Sequence, residues 1–498
     1  MTPHRAWTLR IGLAAGVLCM RLPSLTEPAW YSDDGFFMSV SWLSSQGFRL
    51  YSGVYDNSPP GIYWIYRLML ALGARDHHYV VQAFATVAAI AAAVLTFEVG
   101  LRLAGARAAT LAGALTGFVL SLPVLDGDLV NVELAGLPFF LAALVLAFHR
   151  RPTASFASGV LLGAALAIRP SYLLDATAIP VAMVLSGDPL ARLGAAAAGL
   201  ATTAAAIAFA LLAQGSLAAY VGTVLPSDHA YLVWANGGSL LPLAIRLVLL
   251  AGVAAWGLTR SRSLQGRLLA VWIPAAIAGA SLTPRELTHY GHEAVPALAT
   301  GLSVLAARFR PAATSAPAAA LAMVAAIEAV LILPAYETAL VPRTGAPPPF
   351  LHNFSYSALP AYYANWAAYV TGARSAPAYD AWFPGQASLD EAEIAVLRAA
   401  AGPRPARIIV LGDRPWLLVK GGLHPATPFI ATNSSFWQVS WGPGAIGSAI
   451  ADGCADYVIE ADSAVPTSWL QDLHGPGYEP LAGAPWPTFV PVSRSPSC

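Results

Sequence analysis

Charge is scarce in this chain of 498 residues: 11% of them are charged, where a soluble globular protein has about a quarter. The 27 basic residues balance 27 acidic ones, and Lys420 is the only lysine. Without an excess of basic charge the chain has no electrostatic means of attracting nucleic acid or an anionic membrane surface. The composition therefore excludes an ordinary soluble surface and argues against a nucleic-acid partner.

Cysteine is also rare, and the common nucleotide and zinc motifs are missing. Cys19, Cys454 and Cys498 form neither a disulfide framework nor a metal motif by their spacing. A disulfide between Cys454 and Cys498 stays open if their region is exported. The sequence has no Walker loop, no Rossmann glycine fingerprint and no H-E-x-x-H. Nothing in it supports nucleotide use or zinc proteolysis.

Apolar residues make up 57% of the chain and gather in long runs. A helix needs roughly 17–25 such residues to cross a bilayer core. Candidate runs lie near residues 7–24, 79–100, 107–124, 130–148, 154–168, 170–186, 190–213, 239–259, 266–282, 291–307 and 313–334. No A-x-A cleavage site follows the first run, so we interpret it as an uncleaved span. The pattern predicts an all-α polytopic membrane domain of about eleven transmembrane helices over residues 1–334.

The arginines predict the orientation of these spans, because cytoplasmic loops carry an excess of basic residues. Arginines between the spans fall in loops on one side: Arg5, Arg10, Arg102, Arg107, Arg150, Arg151, Arg192, Arg260, Arg262, Arg267, Arg308 and Arg310. This places the N-terminus in the cytoplasm. The loop 27–78, the turns near 126–128 and 283–290, and everything after residue 334 then lie outside.

Residues 335–498 differ in composition, since long apolar runs stop while prolines and charges increase. Residues 388–391 resemble a capping box that opens a helix to about Ala401. Residues 407–413 and 456–460 have the pattern of buried strands. We therefore predict a small extracytoplasmic α/β domain, with an aromatic helical stretch at 356–372 on the membrane surface.

Residues 29–64 form a polar, aromatic loop between two apolar runs. It contains Asp33-Asp34-Gly35 and, further on, Asp56-Asn57-Ser58-Pro59-Pro60-Gly61. Residues 39–46 are apolar at helical spacing, which predicts a short amphipathic helix in the membrane interface. The loop thus presents carboxylates beside aromatic side chains at the membrane surface.

This combination resembles the first extracytoplasmic loop of the GT-C glycosyltransferases. The similarity is greatest to the family 39/83 branch, which includes aminoarabinose transferases, protein O-mannosyltransferases and Rgt-type galacturonosyltransferases. It implies an enzyme of the bacterial inner membrane that moves a monosaccharide, with inversion, from a polyprenyl-phosphate donor to an envelope glycan, lipid or protein. Most of the branch reads D-x-K-P-P, whereas this chain has Ser58 in place of the lysine.

The acceptor hydroxyl of such a reaction is a poor nucleophile, so a carboxylate must take its proton. Asp33 matches the family's first acidic position and is our predicted base, with Asp34 as the alternative. A divalent cation held by Asp34 or Glu133 is a further possibility that the resemblance leaves open. The competing interpretation is that Asp33 only caps the following helix.

Other residues receive roles from the same resemblance. The leaving lipid phosphate needs donors or positive charge, and the sugar needs polar contacts. We predict that the donor phosphate is bound by Arg285, His289, Tyr290, Ser58 and Asn57. We predict that the sugar or the acceptor is bound by Asn131, Glu133, Asp56, Tyr63 and Arg169.

Each of these roles has a simpler alternative. A carboxylate in a helix's first turn, such as Glu133, gains from the helix dipole without a ligand. Arg285 could extend to lipid head groups with Tyr290 as an interfacial aromatic. We interpret several polar residues as ordinary boundary, loop or solvated-turn residues without a functional role. They are Arg169, Tyr172, Asp228, His229, His77, His78, Asp126 and Asp128.

Two other functions stay open on the sequence alone. A transporter or lipid-carrier flippase would need charged or interrupted helices at the bilayer midplane, whereas here the polar residues collect at one face. A non-catalytic GT-C-like scaffold is compatible with the missing lysine at Ser58.

Overall fold

The structure is a computed structural model that describes residues 2–187, 189–283, 288–309, 358–383, 387–432, 436, 441–461 and 465–494. In these ranges the N-terminal part is helical, as the sequence predicts. Its helices are Pro3–Arg21, Ser32–Ser45, Pro60–Ala71, Tyr79–Val119, Val132–Ala147, Pro152–Ile168, Tyr172–Asp175, Ala178–Leu185, Pro189–Ala213, Leu217–Ala219, Leu225–Ala235, Leu241–Arg260, Leu264–Ala280 and Val295–Phe309. They are connected by 3₁₀ helices at Pro23–Thr26, Pro123–Leu125 and Thr288–Ala294 and by a short π-helix at Tyr220–Val224.

Most of the predicted spans coincide with helices. Among the described residues, three helices are long and apolar enough to cross a membrane by length and composition: Tyr79–Val119, Pro189–Ala213 and Leu241–Arg260. Shorter apolar helices lie at Val132–Ala147, Pro152–Ile168 and Tyr172–Val184. The predicted run 313–334 and the predicted domain boundary at 334 lie outside the described residues. The number of eleven spans and their orientation stay predictions.

The predicted runs 79–100 and 107–124 form a helical hairpin within Tyr79–Val119. The break is at Gly105, whose φ of +80° is a conformation that only glycine adopts readily. The two halves then pack closely side by side. A Cβ on Gly100 would lie 2.9 Å from the Cα of Ala109, and one on Gly113 would lie 2.9 Å from the carbonyl oxygen of Ala93. Small residues permit this close approach of two backbones.

The helix predicted at 39–46 in the membrane interface is instead a longer, buried element. It spans Ser32–Ser45, and we call it the acidic helix because Asp33 and Asp34 lie in its first turn. Its residues from Asp34 to Leu43 are all buried. The prediction was wrong because the apolar face of this helix is covered by protein: the C-terminal domain packs onto it.

The C-terminal domain is a small α/β unit, as predicted. Its strands are β1 (Arg407–Leu411), β2 (His424–Pro425), β3 (Tyr457–Glu460), β4 (Tyr478–Pro480) and β5 (Thr488–Pro491), and its helices are Leu359–Val370, Ala376–Asp380, Ala387–Ala401, Trp416–Gly421, Gly442–Ala451 and Thr467–Leu473. The sheet order is β2-β1-β3-β5-β4. β1 pairs in parallel with β2 and β3, and β5 pairs antiparallel with β3 and β4. Cys454 is disulfide-bonded and Cys19 is free, while Cys498 lies outside the described residues.

The helix Leu359–Val370 joins this domain to the end of the first span. The hydroxyl of Tyr362 donates to Glu27 Oε1 at 2.5 Å, and that of Tyr363 donates to the carbonyl of Met20 at 3.3 Å. Burial raises the pKa of Glu27 to about 7, although Tyr362 and Trp30 both donate to it. The N-terminal helical part and the C-terminal domain therefore share a polar, buried contact at Glu27.

Candidate active site

The two adjacent aspartates of the acidic helix have different surroundings. Asp33 is partly exposed, and its Oδ2 accepts a hydrogen bond from the hydroxyl of Tyr31 at 2.8 Å. Asp34 is fully buried, and its Oδ1 accepts from the hydroxyl of Tyr66 at 2.6 Å. Its Oδ2 lies 3.6 Å from Nε2 of His78. Of the pair, Asp33 is the carboxylate that a substrate can reach, whereas Asp34 is tied into the protein.

The electrostatic environment of Asp33 suits a proton acceptor. Burial raises the pKa of Asp33 to about 6, and the negative charge of Asp413 adds to the increase, while His289 opposes it. A base is most useful when its pKa lies near the working pH. Asp413 belongs to the C-terminal domain and follows β1 directly, so that domain contributes charge to this site.

The turn at residues 126–128 faces the same region and holds His289. The carboxylate of Asp126 accepts from the hydroxyl of Thr288 at 2.7 Å, and its Oδ2 lies 3.1 Å from Nδ1 of His289. Burial alone would lower the pKa of His289, but the charges of Glu133, Asp126 and Asp33 raise it above its ordinary value. The prediction that Asp126 and Asp128 are solvated turn residues was wrong, because both are buried.

Glu133 belongs to a buried ion-pair network. Arg169 forms a salt bridge with Glu133, and its Nε lies 2.9 Å from Oε2 of Glu293. The hydroxyl of Ser171 donates to the same oxygen of Glu293 at 2.6 Å. Arg169 also stacks on the ring of Tyr290 at 5.2 Å. Its interpretation as an ordinary boundary residue was wrong, since one guanidinium pairs with two buried carboxylates here.

Asn131, the other residue predicted with Glu133, has a structural role in its helix. Its Oδ1 accepts from the backbone N–H of Leu134 at 2.8 Å, which makes it the N-cap of Val132–Ala147. Its Nδ2 lies 3.5 Å from Nδ1 of His292.

The second half of the first loop forms a separate cluster. The hydroxyl of Tyr63 donates to Asp56, and that of Tyr51 donates to the carbonyl of Ser58 at 3.1 Å. Nδ2 of Asn57 lies 3.4 Å from Oδ1 of Asp228. Burial and the negative charge of Asp56 together raise the pKa of Asp228 to about 7. Asp228 is therefore part of this cluster, contrary to its interpretation as a boundary residue.

The ring of Phe37 contacts both this cluster and the surroundings of the acidic pair. Its ring centroid is 6.3 Å from that of Tyr63 and 5.5 Å from that of Tyr66. Among the hydrogen bonds of the described residues, none joins the Asp56 cluster directly to Asp33. The two groups belong to one loop in the sequence, and in the structure each has a tyrosine that packs against Phe37.

Sequence reasoning missed His78 and Glu293. His78 was interpreted as a loop residue without a partner, yet Nδ1 lies 3.1 Å from the carbonyl of Glu27 and the other nitrogen faces Asp34. Glu293 follows the predicted His289-Tyr290 pair by only a few residues but received no role. The only available signal was their polarity next to an apolar run, which does not identify a partner 40 or more residues away.

Arg285 lies outside the described residues, so its predicted contact with phosphate stays a prediction. The carboxylates predicted for a cation already have protein partners: Asp34 has Tyr66 and Glu133 has Arg169. Within the described ranges no group of three or more His, Cys, Asp or Glu side chains is arranged to hold a metal ion. A divalent cation held by Asp34 or Glu133 stays a prediction, and we derive no reaction step through a metal ion.

A helical membrane half, an acidic helix after the first span and an α/β domain packed onto that helix define the class: the chain has the fold of the GT-C membrane glycosyltransferases. ArnT from Cupriavidus metallidurans, solved with undecaprenyl phosphate bound, matches with a TM-score of 0.57 at 12% identity over 98% of both chains. Its apo state matches with a TM-score of 0.56 at 14% identity over the same shares.

The apo oligosaccharyltransferase of Archaeoglobus fulgidus also matches, with a TM-score of 0.47, 14% identity, and coverage of 92% of this chain and 70% of that one. No protein-family model and no curated protein matches the sequence. At these identities the likeness shows a shared fold. The resemblance that the loop motifs carry is thereby confirmed at the level of the fold.

Proposed function

We propose that the chain is a membrane glycosyltransferase that moves a monosaccharide from a polyprenyl-phosphate donor to an envelope glycan, lipid or protein. The observation that carries the proposal is Asp33. It is a reachable carboxylate with a raised pKa, held at the start of a buried helix and faced by His289. The GT-C fold, and undecaprenyl phosphate in one solved relative of that fold, support the lipid-linked donor.

In the proposed reaction Asp33 takes the proton of an acceptor hydroxyl. The oxygen forms a bond with the anomeric carbon from the face opposite the phosphate, so the configuration inverts. The bond between that carbon and the phosphate oxygen breaks, and polyprenyl phosphate leaves with the electron pair. With a pKa of about 6, Asp33 is roughly nine tenths ionised at pH 7. His289 is the described residue best placed to balance the charge that develops on the phosphate.

The predicted location follows from the arginine distribution and is part of the proposal: the bacterial inner membrane, with the active site and the C-terminal domain on the outer face. The sugar is a hexose or a pentose, and the acceptor is a hydroxyl compound of the envelope. A divalent cation stays a prediction that chelation can test.

The test is transfer of radiolabelled sugar from a panel of polyprenyl-phosphate donors, in membranes that contain the wild type or Asp33→Asn. We expect the variant to lose 10²- to 10⁴-fold of the rate, as is typical for removal of a general base. Asp472→Asn makes the same change at an exposed position of the C-terminal domain and should keep full activity. Equal activity of wild type and Asp33→Asn would remove Asp33 from catalysis.

The alternatives predict other results in the same assay. A transporter or flippase would move the lipid-linked sugar across vesicles without forming a glycosylated product. A scaffold would bind polyprenyl phosphate and show neither transfer nor movement. Either result, at normal protein levels, would contradict the proposed function.

A further inference from the structure

A short helix of the C-terminal domain lies directly on the acidic helix. It spans Trp416–Gly421, and we call it the docking helix. The hydroxyl of Ser39 donates to the carbonyl of Pro415 at 2.7 Å, and Nε of Arg75 donates to the carbonyl of Val419 at 2.9 Å. The contact is therefore fixed at two places by hydrogen bonds, in addition to apolar packing.

Trp416 makes the central contact of this interface and is 3% exposed. Its indole N–H donates to the carbonyl of Tyr31 at 2.8 Å. The same carbonyl accepts the N–H of Gly35 at 3.3 Å, which is the first turn of the acidic helix. Trp416 thus holds the backbone from which both Asp33 and the side chain of Tyr31 project.

The indole ring touches the acidic helix at Gly35. A Cβ at this position would lie 2.7 Å from Cδ1 of Trp416, closer than any real contact, so the ring occupies the space that a side chain would need. This is a packing reason for glycine in the Asp-Asp-Gly motif. Glycine at 35 and tryptophan at 416 fit together across almost four hundred residues of chain.

A third contact reaches Asp34 through His78. The rings of His78 and Trp416 meet edge to face, with centroids 5.6 Å apart, and Nε2 of His78 lies 3.6 Å from Oδ2 of Asp34. One tryptophan therefore touches three parts that set the geometry of the acidic pair: the helix start, the glycine and the histidine.

From these contacts we propose that Trp416 is a positioning residue for the acidic pair, so that docking of the C-terminal domain completes the catalytic centre. The inference rests on the proposed function for its kinetic part. Small displacements of a catalytic group are costly in rate, since catalysis depends on near-attack geometry. Trp416 acts through Tyr31, Gly35 and His78 and touches no reacting atom.

The decisive variant is Trp416→Phe, which keeps an aromatic ring but removes the N–H that holds Tyr31. We expect kcat to fall about threefold to thirtyfold with an unchanged KM for the donor, because binding residues stay in place while the base is misplaced. Trp486→Phe is the matched control. It is in the same domain and also loses an indole hydrogen bond, which goes to Asp390 at 3.1 Å.

A second measurement does not depend on activity. Hydrogen–deuterium exchange of the peptide covering residues 31–39 should become faster in Trp416→Phe than in the wild type, and should not change in Trp486→Phe. Gly35→Ala disturbs the same contact from the other side and should raise exchange in the same peptide.

The outcomes separate this inference from the proposed function. Unchanged exchange in both Trp416→Phe and Gly35→Ala would overturn the positioning role, whatever the activity. Faster exchange with normal kcat would also overturn it, since the contact would then be structural only. If the wild type itself transfers no sugar, the proposed function fails, and faster exchange confined to 31–39 would still support control of the acidic helix by Trp416.

Discussion

Acidification from pH 7 to pH 5 should lower the transfer rate about tenfold if Asp33 is the general base. The pKa of Asp33 is raised to about 6, so its ionised fraction falls from roughly nine tenths to roughly one tenth over this interval. A base at the ordinary aspartate value of 3.8 would stay more than about nine tenths ionised at pH 5. The two cases differ by almost a factor of ten in rate.

The groups that face Asp33 come from three elements. Tyr31 and Asp34 belong to the start of the acidic helix, His289 to the last turn before Val295–Phe309, and Asp413 to the C-terminal domain. Asp413 and Asp34 raise the pKa of Asp33, whereas His289 and the hydroxyl of Tyr31 lower it. The pH at which the transfer rate falls on acidification therefore depends on contacts between the two halves of the chain.

Protonation of Asp33 and of Glu27 is not in itself a cause of unfolding at pH 5. A carboxyl group with a raised folded-state pKa binds more protons when folded, so its effect on stability becomes less favourable as pH rises from the unfolded to the folded value. For Asp33 this window is about pH 3.8 to 6, and for Glu27 it is about pH 4.5 to 7. Lower pH within these windows favours the folded state, while it removes the base.

The assay is the initial rate of transfer at subsaturating acceptor from pH 4.5 to 8, in membranes returned to pH 7 to show that inactivation is reversible. The slope should approach tenfold per pH unit below the pKa of the base. A rate that stays constant down to pH 5 would refute the assignment of a raised pKa to the base, and with it the role of Asp33.

Three further predictions follow from the same geometry. Asp413→Asn should lower the pKa of Asp33, because a nearby negative charge is lost, so the rate should fall at a lower pH. Tyr31→Phe should raise the pKa of Asp33, because the hydroxyl that donates to it is lost, so the rate should fall at a higher pH. The pH dependence of the transfer rate measures both effects. Arg169→Gln should lower the free energy of unfolding by about 3–5 kcal/mol, since two buried carboxylates lose their cation, and a lower unfolding temperature of the purified protein is the readout. If Asp34 or Glu133 holds a divalent cation, a chelator should lower the transfer rate and added Mg²⁺ or Mn²⁺ should restore it; a rate that the chelator leaves unchanged would contradict a role for the cation.

The apolar runs predicted the helical architecture because a membrane helix is encoded locally, by about twenty consecutive residues. The strands at β1 and β3 were also local, as short apolar runs bounded by turn residues. Even the break at Gly105 falls between two runs that the sequence separates. These features needed no knowledge of what lies across the fold.

The candidate site could be predicted only in part, because its contacts join distant segments. Asp33 and His289 were chosen through the resemblance, whereas the burial of Asp126 depends on a histidine 163 residues further on. Trp416 gave no signal at all. Its partner at Tyr31 is 385 residues away, and a tryptophan near a strand end is ordinarily part of a core.

The replacement of the family's lysine by Ser58 gains a physical interpretation from this arrangement. Arg169 contacts two buried carboxylates, so its charge is already paired within the protein. His289, in contrast, is held by carboxylates that raise its pKa, and it faces the base across the site. Among the described residues, His289 is our candidate for balancing the charge that develops on a leaving phosphate. Most of the branch that the loop resembles has a lysine at the position of Ser58 in the first loop. Here we expect the positive charge on His289, in the segment Thr288–Ala294. His289→Gln should therefore lower the transfer rate more than any substitution at Ser58.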